Sequence, residues 1–103
     1  MTPDIERLQL LEQSIQNLLM QKQMFQLELA ETENALNELN NVKKSEDVFK
    51  MVGSLMFKSD KETLTKDLTK KQDLLNLRMK AIEKQEDDLK KRLLETRKKI
   101  VGN

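Results

Sequence analysis

The sequence predicts a mainly α protein, a long antiparallel two-helix coiled coil with one central β-hairpin that assembles into an intersubunit β-barrel. Three observations lead there. On either side of the middle of the chain, apolar residues recur at alternating spacings of three and four, which is the 3.5-residue repeat of a coiled-coil seam. Charged residues make up 36% of the 103 residues and aromatic residues 3%, a composition that suits long solvated helices and cannot furnish a thick aromatic core. Between the two periodic segments lies DVFKMVGSLMFKSD, residues 47–60, which holds two of the three phenylalanines and one of the two glycines. A chain this short makes one domain at most. Residues 1–103 are therefore expected to form a single unit, with helix 1 over about 4–41, the hairpin over about 47–59 and helix 2 over about 60–101.

In helix 1 the seam runs through Leu8, Leu11, Ile15, Leu18, Lys22, Phe25, Leu29, Thr32, Leu36 and Leu39, where Lys22 and Thr32 are the polar members. Thr2 is an N-cap candidate, Pro3 suits the first helical position, and Asp4 sits near the positive end of the helix dipole. Asn40 and Asn41, followed by Lys43 and Lys44, suit the other end. Helix 2 repeats the pattern at Leu68, Gln72, Leu75, Met79, Ile82, Glu86, Leu89, Leu93, Thr96 and Ile100. Ser59 and Glu62 have the spacing of a capping box at its start, and Gly102 marks its end.

At 1.5 Å per residue each helix would be ~60 Å long, and neither is stable alone with a bare apolar stripe. Residues 1–44 carry seven acids and four bases (−3), residues 45–103 eleven acids and fifteen bases (+4), so the two segments attract. Folded back on itself, the chain brings together positions whose numbers sum to 104: Leu11 meets Leu93, Ile15 meets Leu89, Phe25 meets Met79 and Leu36 meets Leu68. Thr32 falls opposite Gln72, as a hydrogen-bonded layer, and Lys22 lies one layer from Glu86, close enough for an ion pair. Polar layers of this kind fix register at some cost in stability.

Two antiparallel helices can be joined by a handful of residues, so the central segment exceeds what a connector needs. Val48–Val52 and Leu55–Phe57 are rich in strand formers, and Gly53-Ser54 suits a two-residue turn with glycine first. In that register Val52 opposes Leu55 and Lys50 opposes Phe57 on one face, while Met51 opposes Met56 and Phe49 opposes Lys58 on the other. Apolar side chains stand on both faces, and a lone hairpin is marginal in water with open edges. The expectation is that it completes a sheet or barrel with strands of other chains rather than folding down on its own helices.

The inventory excludes much else. There is no Cys and no His, which removes disulfides, the usual nucleophile and general base, and soft metal ligands. An enzyme, a cofactor or a metal site is not expected. No apolar run approaches the ~20 residues of a membrane span, and no signal-peptide pattern opens the chain; a soluble, cytoplasmic protein is expected. A narrow seam with acids mixed into the polar face disfavours a membrane surface. A net charge of +1 without basic and aromatic interleaving disfavours nucleic acid.

Helix, single hairpin, helix, with apolar seams throughout, resembles the beta-class subunit of prefoldin, a chaperone of archaea and eukaryotes. EDVFKMVGSLMFK, Glu46 to Lys58, is similar to the family's central segment, and ETENALNEL (Glu31 to Leu39) and IEKQEDDLKKRL (Ile82 to Leu93) also look like the family. Phe49 stands where the family often has Tyr. One hairpin rather than two points to the beta class. The resemblance implies a hexamer of two alpha-class and four beta-class subunits, built on hairpins in a double β-barrel. It further implies ATP-independent holding of unfolded or partly folded client proteins at the far ends of the helix pairs and their transfer to a group II chaperonin.

The residues add their own indications. In the heptad frame Leu10, Met20, Met24 and Leu27 fall at outward positions, where polar residues are expected, and exposed Leu and Met that can repack suit varied apolar partners. With Met1, Ile5, Leu8, Ile100 and Val101 at the helix ends they form the candidate client surface. Val48, Phe49, Met51, Val52, Gly53, Leu55, Met56 and Phe57 form the candidate assembly surface. The basic clusters Lys90–Arg92 and Arg97–Lys99 read as a solvated helix face, with contact to acidic clients or the chaperonin as the other use. The competing function is a structural coiled-coil protein whose hairpin oligomerises or tethers it, without chaperone activity.

Overall fold

The computed structural model describes residues 2–102. Its elements follow in the order α1 (Pro3–Asn40), β1 (Val48–Val52), β2 (Leu55–Ser59) and α2 (Lys61–Val101). Two long helices joined through a two-stranded antiparallel hairpin are the fold class read from the seams and from DVFKMVGSLMFKSD.

α1 begins where its cap is supplied. Thr2 Oγ1 accepts the Ile5 N–H at 3.2 Å and the Thr2 carbonyl accepts the Glu6 N–H at 3.1 Å, while Pro3 occupies the position where a missing N–H costs nothing. At the other end the N–H groups of Asn41 and Val42 donate to the Glu38 and Leu39 carbonyls at 3.1 Å, a tightening of the last turn. The last turn holds no basic residue, and Lys43 and Lys44 lie exposed. The cation that reaches the orphan carbonyls is Lys61, whose Nζ donates to the Val42 oxygen at 2.8 Å and to the Asn40 oxygen at 3.5 Å. It does so because the first turn of α2 stands beside the last turn of α1.

The cap of α2 is Asp60, not the expected Ser59 and Glu62 pair. Asp60 Oδ1 accepts the Thr63 N–H at 2.8 Å and Oδ2 the Thr63 hydroxyl at 2.9 Å. Ser59 is the last residue of β2, paired with Val48, so its backbone is committed to the strand. The Thr63 N–H first, and then its hydroxyl, hold the Asp60 carboxyl below its ordinary value of 3.8, because both donate to the charged form.

The chain divides into two compact units. In Leu27–Asn76, which contains the hairpin, the buried side chains are Thr32, Leu39, Leu64 and Leu75. Thr32 does not form the expected layer with Gln72. Its hydroxyl donates to the Glu28 carbonyl of its own helix at 2.7 Å, a local acceptor one turn away that needs no partner across the seam. Leu64 extends the buried face one turn beyond Leu68.

In the unit of Met1–Gln26 with Leu77–Asn103, Leu18, Met79, Ile82, Glu86 and Thr96 are buried. Lys22 and Glu86, one layer apart in the 104 register, meet at 3.6 Å, and Lys90 joins the same carboxylate at 3.8 Å. Arg97 pairs with Glu12 at 3.5 Å, and the Arg78 guanidinium lies 5.8 Å from the centre of the Phe25 ring, within cation–π range. Every position of the α1 seam is buried or partly covered, and so is every position of the α2 seam except Ile100. Ile100 is 39% exposed, in the last turn of α2, which ends at Val101.

Two outcomes follow for stability. A depressed carboxyl pKa contributes stability that is present above the ordinary value and lost as pH falls through it toward the folded one. Asp60→Ala is expected to lower Tm at pH 7, with the gap to the parent closing as pH is brought below 3.8; Asp60→Asn should keep most of the cap and lose the pH dependence, both read by thermal melts followed by circular dichroism. Glu86 is held in the seam at a desolvation cost. Replacing Lys22 and Glu86 together with leucine should therefore stabilise the helix pair by about 1–4 kcal/mol in the same melts, whereas Glu86→Ala should destabilise it.

Candidate functional site

The hairpin has the register expected of it, Val48 with Ser59, Phe49 with Lys58, Lys50 with Phe57, Met51 with Met56 and Val52 with Leu55. Gly53 turns the chain at φ +61°, and among the described residues none other than glycine has positive φ, so Ser54 completes the glycine-first turn that matches strand twist. Nothing stands within 4 Å of the place a Cβ on Gly53 would take; the demand for glycine there is conformational, not steric. Asp47 and Lys58 bridge the base of the hairpin at 3.4 Å, both well exposed.

What the hairpin does with its apolar side chains is the more telling observation. Phe49, Met51, Val52, Leu55, Met56 and Phe57 are each about half exposed or more, and Val48 alone of the candidate assembly residues with side chains is partly covered. The hairpin is not folded down on its own helices. Between β1 and the helices lies a cleft of about 690 Å³ with Ala35, Leu39, Leu64 and Leu68 in its wall. Among the described residues no third strand pairs with β1 or β2, and each exposed large apolar side chain stands to gain part of the ~1.5–3 kcal/mol that its full burial is worth.

A second apolar surface lies on α1. Leu10, Met20, Met24 and Leu27 are 62–65% exposed, where a solvated helix face would carry polar groups. Of the candidates at the helix ends, Ile5 and Leu8 are partly covered, Ile100 and Val101 are exposed, and Met1 lies outside the described residues. Four further exposed leucines escaped the sequence reading, namely Leu19, Leu74, Leu77 and Leu94. The signal was available: all four fall off the a and d positions of the same heptad frame, Leu74 and Leu77 at outward c and f. Among the basic clusters, Lys90 and Arg97 are engaged by Glu86 and Glu12, and the remaining four side chains face solvent.

No helix among the described residues is long and apolar enough to cross a membrane. Exposed apolar side chains on a charged scaffold, some on a hairpin and some on a helix face, suit association with other polypeptides. Comparison with known proteins agrees. The model of the family described as "Prefoldin subunit" matches residues 3–102. The prefoldin subunit beta of Caldivirga maquilingensis is 34% identical over 94% of this chain and 80% of its own. That of Methanothrix thermoacetophila is 41% identical over 85% of this chain and 73% of its own. Among solved structures, the prefoldin beta subunit from Thermococcus strain KS-1 superposes with a TM-score of 0.86 at 34% identity, covering 94% of this chain and 85% of that one.

Proposed function

The chain belongs to the prefoldin family, and from that premise we propose that it is a beta-class subunit that holds non-native proteins without ATP and passes them to a group II chaperonin in the cytoplasm. The chaperone reading, rather than that of a passive coiled-coil tether, is the one the relatives support. As a prefoldin subunit it assembles with other prefoldin subunits. The finer proposal is a hexamer of two alpha-class and four beta-class chains, joined through Val48, Phe49, Met51, Val52, Gly53, Leu55, Met56 and Phe57.

The observation that carries this reading is the exposure of large apolar side chains on both faces of the hairpin. Strands from other chains would satisfy its free edges and cover those side chains together, as happens when a sheet closes into a barrel. Assembly brings several helix pairs into one particle. Weak contacts repeated on linked arms then raise overall affinity by effective concentration, without a nucleotide-driven step.

The client surface proposed is Ile5, Leu8, Leu10, Met20, Met24, Leu27, Ile100 and Val101, with Met1. Burial of apolar area is non-directional and proportional to area, at about 25 cal/mol per Å², so it does not discriminate among client sequences. Met side chains with three rotatable bonds adapt to irregular partners. Exposed client chains compete for this surface until they fold or are taken up, which makes release a matter of exchange rather than of hydrolysis.

The assembled complex is expected to suppress aggregation of a chemically denatured test protein, read by light scattering. Replacing Leu10, Met20, Met24 and Leu27 by serine should reduce that protection several-fold with the complex still intact by analytical ultracentrifugation; undiminished protection would remove these residues from the client surface. Phe57→Asp places a charge where an apolar contact would be buried, and Gly53→Val forces a β-branched residue to positive φ. Each is expected to shift the sedimenting species to small oligomers or monomer while helical content by circular dichroism stays near that of the parent.

A further inference from the structure

The two strands of the hairpin differ in what stands at their centre. β1 is VFKMV and β2 is LMFKS, so the middle residue of β1 is Lys50 and that of β2 is Phe57. The middle residue decides how a strand meets a second copy of itself. In a fully overlapped antiparallel pair about a two-fold axis it lies directly opposite itself, and in a parallel pair in register it lies beside itself. Two copies joined through β1 therefore set Lys50 against Lys50, and like charges directly opposite destabilise a strand pair. Two copies joined antiparallel through β2 instead set Phe57 against Phe57 and Lys58 against Met56, an aromatic pair with no charge conflict.

Lys50 also constrains any other strand that pairs with β1. It shares a face of the hairpin with Val48, Val52, Leu55 and Phe57, side chains whose burial favours assembly. Covering that face takes the ammonium group out of water, which is costly unless the partner brings an opposite charge. Its own chain does not supply one. Glu38, Asp47 and Asp67 line the cleft beside β1 together with Lys50, but among the described residues none of them forms a salt bridge with it, and Asp47 is taken by Lys58 at 3.4 Å. The consecutive residues Asp47 to Lys50 line that cleft and no residue of β2 does. Because successive strand side chains point to opposite faces, a cleft lined by consecutive residues follows the edge of β1, where a further strand has room to add.

We propose that the β1 edge pairs with a strand of a different chain, one that carries an acidic residue opposite Lys50 and apolar residues on either side of it, and that Lys50 is the residue by which this edge rejects a second copy. The inference rests on the assembly reading and adds to it which edge takes an unlike chain. Apolar contact alone cannot make that distinction, because Val, Met and Phe cover like and unlike hairpins equally well. A repulsive group at the centre of one edge makes it, as lysine does on edges that must not pair with their own kind.

The full-length chain serves as the probe. Lys50→Glu turns it into an acid-bearing strand with every other side chain unchanged, so an equimolar mixture of the parent and Lys50→Glu sets a lysine opposite a glutamate in the antiparallel β1 pair. By sedimentation velocity at low salt, the mixture is expected to associate about tenfold more tightly than either chain alone. The gain should be largely lost in about 1 M salt, where the screening length falls to ~3 Å. Lys50→Val should by itself associate more tightly than the parent, since it removes the repulsion and keeps a strand former. Lys44→Glu, at an exposed site ahead of the hairpin, changes the net charge equally and should give no gain when mixed with the parent. A Lys50→Glu mixture no tighter than the parent alone, a gain that Lys44→Glu reproduces, or a Lys50→Val chain no tighter than the parent overturns the role of Lys50 and leaves β1 open to a second copy. Phe57→Asp, made in both chains of the mixture, separates that failure from failure of the assembly reading. If it lowers association, the hairpin is the joint and only Lys50 falls; if it changes nothing, the reading falls as well.

Discussion

A pair of helices shares one seam, and that seam covers each side chain from one direction only. The consequence is visible in the burial: Leu75, at 3% exposure, is the most enclosed apolar residue, and no large side chain among the described residues is fully enclosed. Packing of this kind leaves a small domain with less buried area than folding ordinarily requires. Each further feature of the chain answers to that shortage, by registering the seam, by capping helix ends, or by recruiting other chains.

Registration falls to polar groups in the seam. The Lys22–Glu86 pair crosses between helices, and Glu86 also takes Lys90, so a slip of one heptad would strand a buried carboxylate without its cross-helix cation. Thr32 and Thr96 do something else. Their hydroxyls return to carbonyls four residues back on their own helices, which satisfies them at no cost in register information. The helix ends near the hairpin are held by Lys61 on α1 and Asp60 on α2, consecutive residues of opposite charge serving opposite ends of two dipoles.

Recruitment falls to the hairpin, and its design reverses that of the helices. The helices bury their seam residues and leave only part of their apolar side chains on otherwise charged outer faces, whereas the strands show apolar residues on both faces. The same hydrophobic effect thus serves two ends in one chain. On the hairpin it is matched by strand edges that demand a geometrically specific partner; on α1 it acts through Leu and Met with no such demand, so it discriminates little between partners.

Much of this is legible in residue order alone. Spacings of three and four define the seam, Gly-Ser between strand formers defines the hairpin and its register, and Thr2-Pro3-Asp4 defines the start of α1, because each depends on neighbours within a few positions. The outward Leu10, Met20, Met24 and Leu27 are legible for the same reason, and Leu74 and Leu77 could have been read in the same frame. Choices among rival partners are another matter. Asp60 outcompetes Ser59 as the cap because strand pairing claims Ser59, Lys61 rather than Lys43 reaches the end of α1, and Thr32 turns to its own helix. Those outcomes depend on which groups three-dimensional packing brings within hydrogen-bond distance, and residues far apart in the chain meet only once both helices and the hairpin are in place.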